Sequence, residues 1–151
     1  MSNTPTLYDD QKDLVSRVRE SFRTYQDVMM LSPTGSGKSR MAMNIVHSAL
    51  SKGNNVIIDV PLRDLRRQLS NSASDFNIRH SFVAGGCKYD AFSKFWISTS
   101  PAMAIKLGKS PPNCNLLIVD EAHQAGSARE SVIEYYKSKG AKILRMSASP
   151  E

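Results

Sequence analysis

A short apolar run, Asp27–Leu31, passes directly into Ser32-Pro33-Thr34-Gly35-Ser36-Gly37-Lys38-Ser39, and apolar residues at helical spacing follow. This passage restricts the fold more than any other in the 151-residue chain. A strand that breaks into a glycine-bearing turn and restarts as a helix aims its unpaired backbone N–H groups at one point. Gly35 and Gly37 let the backbone curl there, which makes a concave anion site lined by Pro33, Thr34 and Ser36 as well. Lys38 is placed to reach the β- and γ-phosphates of a nucleoside triphosphate, and the Ser39 hydroxyl to ligate Mg²⁺. Ser32 stands where the general G-x-x-x-x-G-K-[ST] pattern has its first glycine. That departure is mild, because the residues that touch phosphate come later. A plain Gly/Ser turn that happens to hold a lysine is the alternative, and the flanking strand and helix argue against it.

The rest of the chain alternates in the same way. Strands are expected at Asp27–Leu31, Asn55–Val60, His80–Ala84, Lys94–Thr99, Asn115–Asp120 and Ala141–Ser147. Several are apolar almost throughout, as in parallel strands covered on both faces. Helical stripes lie between them: Leu14, Val15, Val18, Phe22 and Tyr25; then Met41, Ala42, Ile45, Val46, Ala49 and Leu50, closed by Gly53; then Leu62, Leu65, Leu69 and Ala73. Ser127 and Glu130 have the spacing of a capping box for a helix that buries Val132, Ile133 and Tyr136. Strand–helix alternation with short connections predicts a three-layer α/β domain, a mainly parallel sheet with helices on both faces. Ligands should gather at the carboxyl ends of its strands. One domain spanning residues 1–151 is expected, with no repeat or long linker.

The Leu116–Val119 strand delivers Asp120-Glu121-Ala122-His123 to that same edge. Asp120 at a strand tip can hold Mg²⁺, and Glu121 can orient and deprotonate an attacking water. His123 would lie where the nucleotide site meets the rest of the machine. A lone Asp-Glu after a strand is often a solvated turn, but a phosphate loop on the same sheet makes catalysis the better reading.

Composition adds a partner class. Twenty Lys plus Arg against fourteen Asp plus Glu leave a net charge of +6, which favours polyanions without specifying one. No apolar run approaches the ~20 residues of a membrane span, and the polar N-terminus is unlike a secretory signal. A soluble intracellular protein is expected, cytoplasmic or nucleoid-associated. Cys87 and Cys114 lack nearby His or Cys for a zinc pattern and read as free thiols.

PTGSGKS followed further along by VDEAH resembles the first RecA-like lobe of the superfamily-two helicases, the DEAD/DEAH group, over essentially the whole chain. The resemblance implies ATP and Mg²⁺ as cofactors and a nucleic-acid-dependent ATPase. It makes Gln11, in Leu7-Tyr8-Asp9-Asp10-Gln11, the candidate for reading adenine, with a solvent-facing helical glutamine as the alternative. Pro61, Arg63, Arg66 and Arg67, in the VPLRDLRRQ stretch, are similar to the family segment that grips a nucleic-acid backbone, although a solvated helix face would look the same. Ser98 and Thr99, with Ser100, resemble a second such turn, which could also be a helix N-cap. Ser147, Ala148 and Ser149 resemble the S/T-A-T element that couples ATP state to strand binding, with Ser149 in place of threonine. Ala84-Gly85-Gly86 is a weaker match to a glycine pair near the strand. Trp96 and Phe95 read as core, and His47 and His80 as structural. Lys137, Lys139 and Lys142 bracket a helix end, where cations are favourable anyway.

In the family a second RecA-like lobe carries an arginine finger and half of the nucleic-acid groove; none lies within residues 1–151, so a fragment of a longer protein is expected, with a natural stand-alone lobe as the alternative. The isolated lobe is therefore expected to bind ATP but hydrolyse it weakly. DNA is favoured over RNA, because the VPLRDLRRQ and SASPE stretches look more like the DNA-acting restriction-motor, repair and phage helicases. A stand-alone ATP switch or nucleic-acid-binding module is the alternative, and a small-molecule phosphotransferase, lacking an evident acceptor-binding segment, is more remote.

Overall fold

The computed structural model describes residues 7–32, 37–60, 73, 78–83, 90–120 and 126–148. Along the chain these form α1 (Asp9–Ser21), β1 (Asp27–Ser32), α2 (Lys38–Ser51), β2 (Val56–Val60), β3 (Ser81–Val83), β4 (Phe95–Thr99), α3 (Ser100–Leu107), β5 (Leu116–Val119), α4 (Ser127–Ser138) and β6 (Lys142–Ala148). The strands make one sheet in the order β1-β6-β5-β2-β4-β3, parallel at every pairing. This is the RecA-like α/β arrangement, with the expected helices on both faces.

Alternation along each strand separates two cores. Val56, Ile58, Phe95, Ile97, Ile118 and Leu144 face α1 and α2. Ile57, Trp96, Leu117, Val119 and Ile143 face α3 and α4. The central strands β2 and β5 are buried at every position, which is why β5 reads as an unbroken apolar run and β2 as one interrupted only by Asp59. β1 differs. It lies at the sheet edge and alternates, Val28 and Met30 buried, Met29 49% and Leu31 52% exposed. Its DVMML run thus has one covered face rather than two.

The helices follow their stripes with two corrections. In α1, Val15 and Val18 are buried and Leu14 and Phe22 pack beside them. Tyr25 does not continue the stripe: the helix ends at Ser21 and Tyr25 lies in the following turn, exposed. In α2, Gly53 takes φ +83° just past the helix, and the N–H groups of Gly53 and Asn54 close on the carbonyls of Leu50 and Ala49. The proposed Ser127–Glu130 capping box does not form. Ser127 is already the first helical residue, Gly126 is the cap, and no side chain bonds there. Val132, Ile133 and Tyr136 are buried as expected. Of the Leu62–Ala73 stripe only Ala73 lies within the described residues, helical and buried.

Candidate nucleotide site

The carboxyl ends of β1 and β5 face the start of α2. The chain leaves β1 for α2 and returns to the sheet as β2, with β6 and β5 lying between the two. Gly37 caps α2 with φ +82° and ψ 39°, a left-handed conformation that L side chains rarely adopt. Lys38 and Ser39 are the first two residues of the helix, both half-buried, so the exposed N–H groups of its first turn lie beside them. Lys38 Nζ lies 2.9 Å from Asp120 Oδ1, at the tip of β5. Asp120 is almost fully buried, and its backbone N–H donates to the Asp59 carbonyl at 2.9 Å, which extends the β2–β5 ladder by one bond.

Gln11 is not the solvent-facing helical residue of the bland reading. It is 5% exposed, its Oε1 accepts from the Tyr8 N–H at 2.9 Å, and its amide nitrogen crowds Gly37 so closely that a Cβ there would collide with it. The first helix is thereby braced against the end of the phosphate loop. Ser32, at the tip of β1, is buried, and its hydroxyl has no hydrogen-bond partner among the described residues.

The donor set can be tested against Mg²⁺. Among the described residues no three His, Cys, Asp or Glu side chains converge. Mg²⁺ in nucleotide sites is typically held by one or two protein oxygens together with phosphates and waters. The Asp120 carboxylate and the Ser39 hydroxyl are oxygen donors of the kind Mg²⁺ prefers, at the tip of β5 and in the first turn of α2.

The other expected residues divide into three groups. Pro33 to Ser36, Pro61, Arg63, Arg66, Arg67, Ala84 to Gly86, Cys87, Glu121, His123 and Ser149 lie outside the described residues. Ser147 is buried near the end of β6, and Ala148 is that strand's last residue. Ser98 requires a correction. It is fully buried and its hydroxyl donates to Asp59 Oδ1 at 2.9 Å, so it cannot reach a strand from the surface. Thr99 is half-buried and caps α3 through its backbone, without a side-chain bond. Trp96 and Phe95 are core, with the indole N–H donating to the Asp90 carbonyl at 3.0 Å. His80 contacts the Ile78 carbonyl through Nδ1 and stacks edge-on with Phe82. Cys114 is a free thiol that burial pushes up to about 12.

Two residues of consequence went unremarked in the sequence. Asp59 lies in β2 with no exposed surface, and Arg129 in the first turn of α4 is nearly as buried. Burial pushes the Asp59 carboxyl above its ordinary value, opposed by hydrogen bonds from Ser100 and Ser98 and by the Arg129 charge. An acid inside the apolar run Asn55–Val60 was the visible signal, because such a group must find partners.

A parallel sheet of this order, with a lysine at the head of a helix paired to an aspartate two strands away, defines an ATP-binding lobe of the RecA-like kind. The chain belongs to the family described as the type III restriction enzyme res subunit, matching it over residues 4–151. It is 27% identical to the replication restart protein PriA of Synechocystis over 150 residues, covering 91% of this chain and 17% of that protein. The helicase domain of Pyrococcus furiosus Hef superposes with a TM-score of 0.75 at 21% identity, covering 94% of this chain and 33% of that one. The Sulfolobus solfataricus SWI2/SNF2 ATPase core, solved with duplex DNA, gives 0.70 at 15% identity over 99% of this chain and 33% of that one. This chain thus spans about a sixth of its curated relative. Among the described residues no helix is long and apolar enough to cross a membrane.

Proposed function

We propose that this chain is the ATP-binding lobe of a DNA-dependent helicase or translocase, and that it hydrolyses ATP efficiently only against a second lobe. The observation that carries the reading is the Lys38–Asp120 pair at 2.9 Å, which brings the phosphate-loop lysine and the acidic strand tip to one point. On nucleotide binding Lys38 leaves Asp120 for the β- and γ-phosphates, and the backbone of Pro33, Thr34, Gly35, Ser36 and Gly37 cradles them. Mg²⁺, held by Ser39 and Asp120, would neutralise charge on the phosphates. Glu121 orients the attacking water and takes its proton, and His123 links the nucleotide site to the rest of the machine. Gln11 reads the adenine base, and its packing against Gly37 supports that role. Pro61, Arg63, Arg66, Arg67 and Thr99 grip a nucleic-acid backbone without reading sequence. Ser147, Ala148 and Ser149 link that grip to the nucleotide. The names of the relatives, a replication restart protein and an ATPase core solved with duplex DNA, support DNA over RNA. The work belongs in the compartment that holds ATP and nucleic acid.

The deciding measurement is ATP binding and turnover by the chain with single-stranded and duplex DNA and RNA, with Glu121→Gln as the blank. Nucleotide binding that Lys38→Ala abolishes is expected. Turnover should be low until a second lobe is added in trans, since an arginine finger is worth roughly 10³–10⁵ in rate. Wild-type nucleotide binding no better than that of Lys38→Ala would refute the proposal. Fast turnover by the chain alone would refute the need for a second lobe.

A further inference from the structure

β2 is buried at every position, yet its fourth residue is Asp59. A carboxylate without water needs hydrogen bonds and counter-charge. Ser98 Oγ donates to Oδ1 at 2.9 Å, Ser100 Oγ donates to Oδ2, and Arg129 Nε lies 3.9 Å from Oδ2 and 3.5 Å from Ser100 Oγ. These partners come from the end of β4, the first turn of α3 and the first turn of α4. Arg129 is also badly placed for stability alone. A cation in the first turn of a helix opposes the helix dipole, and burying it adds a desolvation cost.

What this arrangement gains is a connection. The Asp59 carbonyl accepts the Asp120 N–H, while the Asp59 side chain faces Arg129. One residue therefore meets both the tip of β5, at Asp120, and the first turn of α4, at Arg129. The same carboxylate holds the hydroxyls on either side of Thr99. We propose that Asp59 and Arg129 are positioning residues of the ATPase site, tying the tip of β5 at Asp120 to the first turn of α4 and to the Ser98–Ser100 junction of β4 and α3. Strand engagement at Thr99 is then felt at Asp120, the partner of Lys38. This inference rests on the reading of the chain as a nucleic-acid-dependent ATPase.

The test compares wild type with Asp59→Asn, Arg129→Met, Arg129→Lys and Ser100→Ala. Two readouts are needed: the affinity for single-stranded DNA and RNA oligonucleotides with and without MgATP, and amide hydrogen exchange across residues 120–127. In wild type, MgATP should change strand affinity by about fivefold or more. In Asp59→Asn and Arg129→Met that factor should fall to about one, and exchange across 120–127 should quicken about tenfold relative to β2 and β5, as expected of a local opening. Arg129→Lys should retain part of the effect. A purely structural role would instead loosen the whole sheet and leave the coupling factor intact in any folded variant. Folded variants with wild-type coupling and wild-type exchange overturn the inference. Should Asp59→Asn and Arg129→Met fail to fold, Ser100→Ala and Arg129→Lys decide it, and unchanged coupling in both overturns it. Wild type that binds MgATP without altering strand affinity overturns this inference alone. Wild type that binds MgATP no better than Lys38→Ala overturns the proposed function and this inference with it.

Discussion

Asp27 and Asp59 are carboxylates that the fold treats in opposite ways. Asp27, at the amino end of β1, receives the Arg145 guanidinium through two 2.9 Å bonds and Lys137 Nζ at 3.2 Å. The Arg145 hydrogen bond, with help from Lys137, holds its carboxyl below the ordinary 3.8 despite partial burial. The folded state therefore binds this proton less tightly than the unfolded chain. The resulting stability is fully present above pH 3.8 and is lost as the pH falls through the lower folded value. Asp27→Asn should cost about 1–2 kcal/mol at neutral pH. In denaturant titrations the gap from wild type should close as the pH drops below 3.8; a gap that persists in acid would mean the loss is not electrostatic. Asp59, with its carboxyl raised, contributes with the opposite sign, favouring the folded state as the pH falls towards 3.8.

Elements meet here at a few pinned junctions. The Gln26 side-chain amide donates to the carbonyls of Lys137 and Ala141, each at 2.8 Å, fixing the start of β1 to the turn between α4 and β6. Arg19 on α1 reaches Asn44 on α2 at 3.2 Å. The junction that matters most for function is Gly37, between the phosphate loop and α2, where φ is +82° and Gln11 leaves no room for a Cβ. Gly37→Ala should destabilise by about 1–2 kcal/mol from backbone strain alone, and more from the clash. It should also weaken MgATP binding, because the loop and the α2 N-terminus share this residue. Gly108→Ala is the matched control. Gly108 has φ −85° and only ordinary contact at its Cβ position, so that variant should be neutral or slightly stabilised. Equal melting temperatures for the two variants would contradict the strain argument.

The molecule has two cores and one wall between them. Trp96, the single tryptophan, sits in the cluster under α3 and α4, while α1 and α2 cover the other face of the same strands. Neither face can be uncovered without exposing strands that the other face needs. Unfolding in urea should accordingly be one transition, with Trp96 emission and far-UV circular dichroism coinciding. A Trp96 transition that precedes the loss of helix signal would show that the two faces separate.

The nucleotide site was legible because its chemistry depends on local spacing. A strand, a glycine turn, a lysine and a helix follow one another in the chain, and the acidic box likewise ends a recognisable apolar run. The six strands and the parallel three-layer plan were legible for the same reason, since covered strands and helix stripes each leave a local period. Strand order was not. β1 became an edge with Met29 and Leu31 outward, although its apolar run resembles those of the central strands. Ser98 looked like a surface contact and is instead a buried donor to Asp59. Arg129 drew no attention in the sequence and is buried against Asp59. Each of these depends on which strand lies beside which, and on which face a helix covers. Residues far apart in the chain decide that together, so no local pattern records it.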